Sequence, residues 1–254
     1  MKITDDVLTV LSGLAFDGQH ARIEKQIDRK LYEKVNKALE ACGGKWNRKA
    51  KAHVFESDAA ELVDRVIVAG EFTTARDIGF FPTPVALATR LVKVAEIEDG
   101  DVVLEPSAGT GRLIDAALAV GPKVDVHFVE RDRDMREGLR CRLKRATCIE
   151  AADFMDLNAS AFRDGFDRVV MNPPFVKGPK GDHLDHVRHA FAMLRAGGIL
   201  AAILPSGIRF REDKRHREFR GWISDKGGDT ADLPADSFKE SGTSVNTCIV
   251  KVGR

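Results

Sequence analysis

The four cysteines, Cys42, Cys141, Cys148 and Cys248, form no CxxC pair. That spacing argues against a zinc site and against a disulfide framework, and predicts a reduced, cytoplasmic setting. Long apolar runs are missing, so no membrane span is expected, and the polar start MKITDD does not read as a signal peptide. A charge excess is missing too: 40 Lys and Arg stand against 39 Asp and Glu. Bulk charge therefore announces no polyanionic partner, and any basic patch must be local. There is no internal repeat or low-complexity tract. What remains is 254 residues, 43% hydrophobic, enough for one sizeable core and a small extension.

From about residue 82 apolar strands alternate with helical stretches. DVVLEPSAG reads as a strand entering a Gly turn, TGRLIDAALAV as a helix, KVDVHFVERD as the next strand. RDMREGLRCRLKR reads as a charged helix and ATCIEAADF as a strand. After FDRVVMNPPF come a helix near HLDHVRHAFAML, a Gly-Gly break and the strand GILAAILPS. This alternation predicts an α/β fold, a Rossmann-like doubly wound and mostly parallel sheet. DTADLP and SVNTCIVKVG add a C-terminal antiparallel hairpin. Residues 1–75 break the pattern. EKQIDRKLYEKVNKALEACGG predicts an amphipathic helix stopped by Gly43 and Gly44, KWNRKAKAHVFE a hairpin with Asn47 and Arg48 at its tip, and DAAELVDRVIVAGE a helix capped by Asp58. The expected organisation is a small α+β module over 1–75 and the main domain over 76–254.

Three strand ends carry chemistry. In LEPSAGTGRL a strand runs into Gly109-Thr110-Gly111 and then a helix, so backbone can approach a ligand closely beside free N–H groups. The dinucleotide spacing GxGxxG is not completed, because Leu113 and Ile114 follow Arg112, which counts against NAD. Glu130 ends the next strand, where an acid can hydrogen-bond both hydroxyls of a ribose. Asp153 ends the third, where a carboxylate can accept from an adenine amino group while Phe154 stacks on the ring. Then DRVVMNPPF stops abruptly. Proline donates nothing to a sheet ladder, so the strand must end and leave Asn172 and Phe175 on a stiff turn. His183, His186 and His189 show no coherent metal pattern.

With these motifs the sequence, over roughly residues 78–252, resembles the class I amino-methyltransferases of nucleic acids, which use S-adenosyl-L-methionine. FFPTP, with Thr83, is similar to the motif near the methionine end of the cofactor. EPSAGTG, with Glu105, Ser107, Gly109 and Gly111, is similar to the glycine motif, with Ser107 in place of a commoner glycine. NPPF is similar to the catalytic motif, and the order of the three is that of gamma-type adenine-N6 DNA methyltransferases. The resemblance implies that Asn172, Pro173, Pro174 and Phe175 carry catalysis, with Asn172 also beside the cofactor, and that Glu130, Asp153 and Phe154 complete the cofactor site. The Asn172 side-chain oxygen and the Pro173 carbonyl would accept the two N–H groups of an aromatic amine and localise its lone pair. Phe175 would stack on a base that has been flipped out of a duplex, and Phe238 on its other face.

The substrate so implied is nucleic acid, DNA before RNA. Protein glutamine, met in relatives with Tyr at the position of Phe175, is a further alternative. Gamma-type enzymes usually carry a large target-recognition domain after the catalytic half, and that part of the resemblance is missing here. Two basic segments are candidates for backbone contact. One is 209–222, with Arg209 and Arg211. The other is the N-terminal hairpin, where Lys45, Arg48, Lys49, Lys51 and His53 surround Trp46 and Phe55.

Overall fold

The computed structural model describes residues 1–72, 81–151, 153–162, 164–175, 180–241 and 245–254. The chain forms two compact units, Met1–Ile78 and Gly79–Arg254. The boundary expected at 75/76 lies outside the described residues. Among those described, no helix is long and apolar enough to cross a membrane.

The first unit runs α1 (Asp5–Ser12), β1 (Ala15–Asp17), β2 (His20–Arg22), α2 (Arg29–Ala41), β3 (Lys45–Asn47), β4 (Ala52–Val54) and α3 (Ala59–Ala69). Its strands form an antiparallel sheet in the order β1-β2-β4-β3. Helix α2 starts at Arg29, later than its amphipathic pattern suggests, because the Asp28 carboxylate accepts the free N–H groups of Lys30 and Leu31. Asp58 caps α3 by accepting from Glu61 N, and Gly70, with φ of 67°, ends it. The apolar faces of α1, α2 and α3 close over Leu11, Val35, Leu39, Phe55 and Val63. Phe55, expected beside the basic tip, is thus core. His53 is also buried, its Nε2 2.8 Å from Asn36 Oδ1. Trp46 stays on the surface.

The second unit contains α4 (Val85–Val94), β5 (Val102–Glu105), α5 (Arg112–Leu118), β6 (Asp125–Phe128), α6 (Arg133–Arg142), β7 (Ala146–Cys148), β8 (Phe166–Met171), α7 (His183–Ala192), β9 (Leu194–Pro205), α8 (Lys214–Asp225), β10 (Asp229–Asp232) and β11 (Thr247–Gly253). The sheet order is β10-β11-β9-β8-β5-β6-β7. Strands β5 to β9 pair in parallel, and β11 lies antiparallel to both β9 and β10. Successive residues feed opposite faces. Val103, Val170, Ala201, Ile203 and Ile249 pack with α4, α5 and α6. Leu104, Val169, Met171, Leu200, Ala202 and Val250 pack with α7 and α8. Burial on both faces is why these strands read as almost unbroken apolar runs.

The expected Gly-Gly break before β9 is instead a bulge inside the strand. Pairing of β8 with β9 jumps from Phe166↔Leu194 to Arg168↔Ile199. Gly197 takes φ of 78°, and a Cβ on Gly198 would come within 3.0 Å of the Phe166 and Asp167 carbonyl oxygens. Only glycine admits that approach. ATCIEAADF yields just the short β7, since the chain leaves the sheet edge after Cys148.

Strands β5 and β8 are joined by more than their ladder. The buried carboxylate of Asp167 accepts from Val102 N at 2.9 Å and pairs with Arg195. Replacing Asp167 with Ala should lower unfolding stability by about 1–3 kcal/mol, because Val102 N–H is left without an acceptor. Asn, which keeps an acceptor oxygen, should cost less. Denaturant titration of both variants checks this ordering.

Candidate active site

The strand order reverses between β5 and β8, so their carboxyl ends open the crevice in which ligands of open α/β sheets bind. The Gly turn leaves one strand and Asn-Pro-Pro-Phe leaves the other. The turn is zipped to the chain that follows β6, with Ala108 N donating to Val129 O at 2.9 Å and Val129 N to Glu105 O at 3.0 Å. This places Glu130 under the turn. Its Oε2 accepts from Gly109 N and its Oε1 from Asp132 N, each at 2.7 Å. Burial raises the Glu130 pKa, against those bonds. Gly109 is left-handed, with φ of 54°, and presents its N–H to that carboxylate.

Glu105 is fully enclosed. Its Oε1 accepts from Ser107 N at 2.9 Å, while its Oε2 has no partner among the described residues. Burial pushes its pKa up to about 8, and the nearby Glu130 adds to the rise. Gly111 answers a packing demand as well as a turn. Its φ is 79°, and a Cβ there would lie 2.5 Å from Arg142 Nη2 and 2.7 Å from Leu139 Cδ2, both on α6.

Asp153 is set by the short 3₁₀ turn that it caps. One carboxylate oxygen accepts from Met155 N at 2.9 Å, and the other faces Arg131 at 4.0 Å. Arg131 was not singled out from the sequence, although it directly follows Glu130. Phe154 corrects an expectation. Its side chain is buried with Val129, Leu184 and Val187, and its ring lies 4.8 Å from that of His189 and 5.9 Å from that of His186. It is part of the α7 core and offers no open face to an adenine. Among the described residues no His, Cys, Asp or Glu cluster has metal-holding geometry.

Asn172 is the best-determined group in the crevice. Its Nδ2 donates to Phe81 O at 2.9 Å and to Thr83 Oγ1 at 3.1 Å. An amide has one donor end and one acceptor end, so these bonds fix which way the oxygen points. That Oδ1 is buried and has no partner among the described residues. The 81–84 segment is itself pinned. Arg112 Nη1 donates to Thr83 O at 3.0 Å, and Ser241 Oγ donates to Pro82 O at 2.6 Å. Pro173 and Pro174 carry the turn out of β8, and Phe175 follows half-buried between two rings, Phe81 at 5.7 Å and Phe238 at 6.4 Å. Phe238 is a second correction. It is 0% exposed and belongs to the core over α4 and α5, so it backs Phe175 instead of presenting a face to a base. Phe81, part of the FFPTP motif but given no role of its own from the sequence, is the aromatic that shares the crevice with Phe175.

The basic segment after β9 is largely paired with its own acids. Arg209 pairs with Asp232, and Arg211 Nε lies 3.1 Å from Asp213. Arg215 bridges Asp182 and Asp185, and Arg220 binds the carbonyls of Ile208 and Arg211.

The methyltransferase small domain family matches residues 85–214, slightly more than half of the chain. The chain belongs to that family. Its fold is the Rossmann-like fold of the class I methyltransferases, a family that uses S-adenosylmethionine. A modification methylase, CviBIII, from Paramecium bursaria Chlorella virus NC1A is 31% identical over 148 residues, covering 51% of this chain and 38% of that protein. Ribosomal RNA small subunit methyltransferase A from Synechococcus sp. (strain CC9605) is 35% identical over 95 residues, covering 35% of this chain and 34% of that one. The chain thus spans little more than a third of the curated relatives it matches. In fold it is similar to the type I restriction-modification methyltransferase subunit of Streptococcus thermophilus. That match has a TM-score of 0.60 and 19% identity, and covers 77% of this chain and 49% of that one. A type I modification subunit from Vibrio vulnificus YJ016 has a TM-score of 0.59 and 14% identity, and covers 100% of this chain and 66% of that one.

The donor set fits S-adenosylmethionine, a ligand with ribose hydroxyls and an ammonium group. Buried acids with spare lone pairs, Glu105 and Glu130, flank the Gly turn, and the orphan oxygen of Glu105 suits a cation. In the cofactor-free protein the Glu105 carboxyl holds a proton that the unfolded chain releases between about pH 4.5 and 8. Its contribution to stability is therefore full below pH 4.5 and falls as pH rises through 8. Glu105→Gln should remove that decline, so that its stability relative to wild type rises across the window by up to a few kcal/mol. Denaturant unfolding at several pH values reads this directly, and a difference that stays flat with pH would contradict it.

Proposed function

We propose that the protein transfers a methyl group to the exocyclic 6-amino group of adenine in DNA, with relaxed sequence preference. The observation that supports this is the unpartnered, fixed Asn172 Oδ1 at the end of β8. An aromatic amine is a weak nucleophile because its lone pair is shared with the ring. Asn172 Oδ1 and the Pro173 carbonyl accept its two N–H groups, which draws the nitrogen towards a tetrahedral shape and localises its lone pair for attack on the methyl group. Pro173 and Pro174 keep both acceptors in place, so little reorganisation is needed at the moment of transfer. Phe175, steadied by Phe81 and Phe238, supplies the apolar surface for the base. Glu130 and Asp153 hold the ribose and adenine of the cofactor, Thr83 and Glu105 its methionine end, and Ser107, Gly109 and Gly111 shape the turn beneath it. When bound, S-adenosylmethionine supplies the electrophilic methyl group. A base inside a duplex cannot reach a turn of this kind and would be extruded.

The gamma-type order of motifs and the modification methylase relative favour DNA. RNA is the second reading, supported by the relatives that methylate ribosomal RNA. Parallel incubation with DNA and RNA, followed by mass spectrometry of the nucleosides, decides between them. N6-methyladenine in DNA is the expected product, and methyl groups found only in RNA or on guanine would overturn it.

Asn172→Ala should lower kcat at least about 100-fold, as loss of a fixed transition-state partner does, with cofactor affinity within a few-fold of wild type. Substantial turnover would remove Asn172 from this role. Glu130→Ala and Asp153→Ala should do the converse, each weakening S-adenosylmethionine by about 1–3 kcal/mol in calorimetry.

A further inference from the structure

The N-terminal unit carries an exposed surface that is both basic and aromatic. Strand β3 pairs only with β4 among the described residues, and all three of its residues are exposed. Trp46, in its middle, is 51% exposed, and its ring stands 5.2 Å from the buried, Asn36-bound ring of His53. The side chain is therefore backed on one side and open on the other. The tip beyond it is fixed as well, because Asn47 Oδ1 accepts from Lys49 N at 2.9 Å and from Ala50 N at 3.0 Å. No acid occurs between Glu40 and Glu56. Lys45, Arg48, Lys49 and Lys51 are exposed, and none of them has an ion-pair partner among the described residues. In a chain of net charge +1 this is local charge left uncompensated.

We propose that this tip is a docking surface for single-stranded nucleic acid, with Trp46 as the stacking platform and Lys45, Arg48, Lys49 and Lys51 as phosphate partners. The proposal rests on the nucleic-acid reading above and deepens it. Charge complementarity commits it to a polyanion, and the open ring commits it to unpaired bases, whose faces are free for stacking as those inside a duplex are not. The basic residues after β9 are weaker candidates because phosphate would have to displace Asp232 and Asp213 from Arg209 and Arg211.

The test uses the full chain and an oligothymidine of about 15 nucleotides. Thymine has no exocyclic amine, so its binding is read independently of methyl transfer. Trp222 is packed on Phe219 and Phe191, so a Trp222→Phe background makes Trp46 the only tryptophan, read by excitation beyond the tyrosine band. Oligothymidine should quench it. Trp46→Ala should weaken binding about tenfold, measured by anisotropy of labelled strand. Arg48→Ala, Lys49→Ala and Lys51→Ala together should reduce the slope of log affinity against log salt by about two. S-adenosylmethionine affinity should be unchanged in both, and a far-ultraviolet circular dichroism spectrum that matches wild type shows that the N-terminal unit still folds. Oligouridine in parallel separates DNA from RNA strands, and binding of either that is lost with Trp46 supports the proposal. Unchanged affinity and salt slope would overturn it. So would duplex binding that is insensitive to Trp46, or binding of polyglutamate but not of either strand, which would point to an acidic protein partner. Failure of methyl transfer with strand binding intact would sink the proposed reaction and leave this surface standing.

Discussion

Two hydrogen bonds from one amide nitrogen organise the crevice. Asn172 Nδ2 is held by the Phe81 carbonyl and the Thr83 hydroxyl, so its oxygen has one direction left. A buried acceptor without a donor costs about 1–3 kcal/mol, and folding alone gives no reason to keep one. The surrounding structure makes the arrangement hard to relax. Rotating the amide would face its nitrogen away from two acceptors and set its oxygen against the Phe81 carbonyl. Moving the 81–84 segment would break the bonds from Arg112 and Ser241. The prolines after Asn172 prevent β8 from simply extending to absorb the residue into the ladder. The polar group is over-determined in position and without a partner among the described residues, which is what the proposed role of accepting from a substrate amine requires.

Sheet topology makes the rest of the site possible. Glu105 and Asn172 are far apart in the chain, yet β5 and β8 are neighbours because the strand order reverses between them. Moving outward, β6 brings Glu130 beneath the Gly turn. On the other side, β9 runs parallel to β8 past a glycine bulge that re-aligns the pair from Arg168 onward. Asp167 ties the far ends of β5 and β8 to each other, so the spacing at their carboxyl ends is fixed from below.

Legibility in the sequence followed the range of the forces. Local backbone demands were readable: proline ending β8, glycines turning after β5, Asp58 capping α3, and the alternation that gives a parallel sheet. Glu105 and Glu130 were readable because chain order and spatial order coincide at the ends of β5 and β6, whereas Asp153, expected to end the third strand, lies five residues beyond β7 and caps a 3₁₀ turn. Side-chain environments that depend on distant packing were not. Phe154, Phe238 and Phe55 each follow or adjoin polar motif residues, and each turns into a core built by helices elsewhere in the chain. Strands β1 and β2 have three residues each, too short for any periodicity to register, and α1 before them shows only two buried positions. The FFPTP motif was readable, but the part Phe81 plays in it was not, because its backbone carbonyl holds Asn172 Nδ2.

The same distinction governs the charges. A count of Lys and Arg cannot separate a cation available to a ligand from one already engaged, and the two basic segments look alike as strings. In the structure Arg209, Arg211, Arg215 and Arg220 are engaged by carboxylates or carbonyls and help hold the turn after β9, while Phe210 stands exposed among them. Exposed pairs of this kind are worth little individually, about 0–1 kcal/mol, but a phosphate must still compete with each carboxylate before it gains anything. Among the described residues the hairpin tip has no such competition. On the proposal above, its cations would gain binding energy by releasing the counterions of the polyanion. A near-neutral chain can therefore still hold a nucleic acid, provided that its acids are spent where its other arginines are.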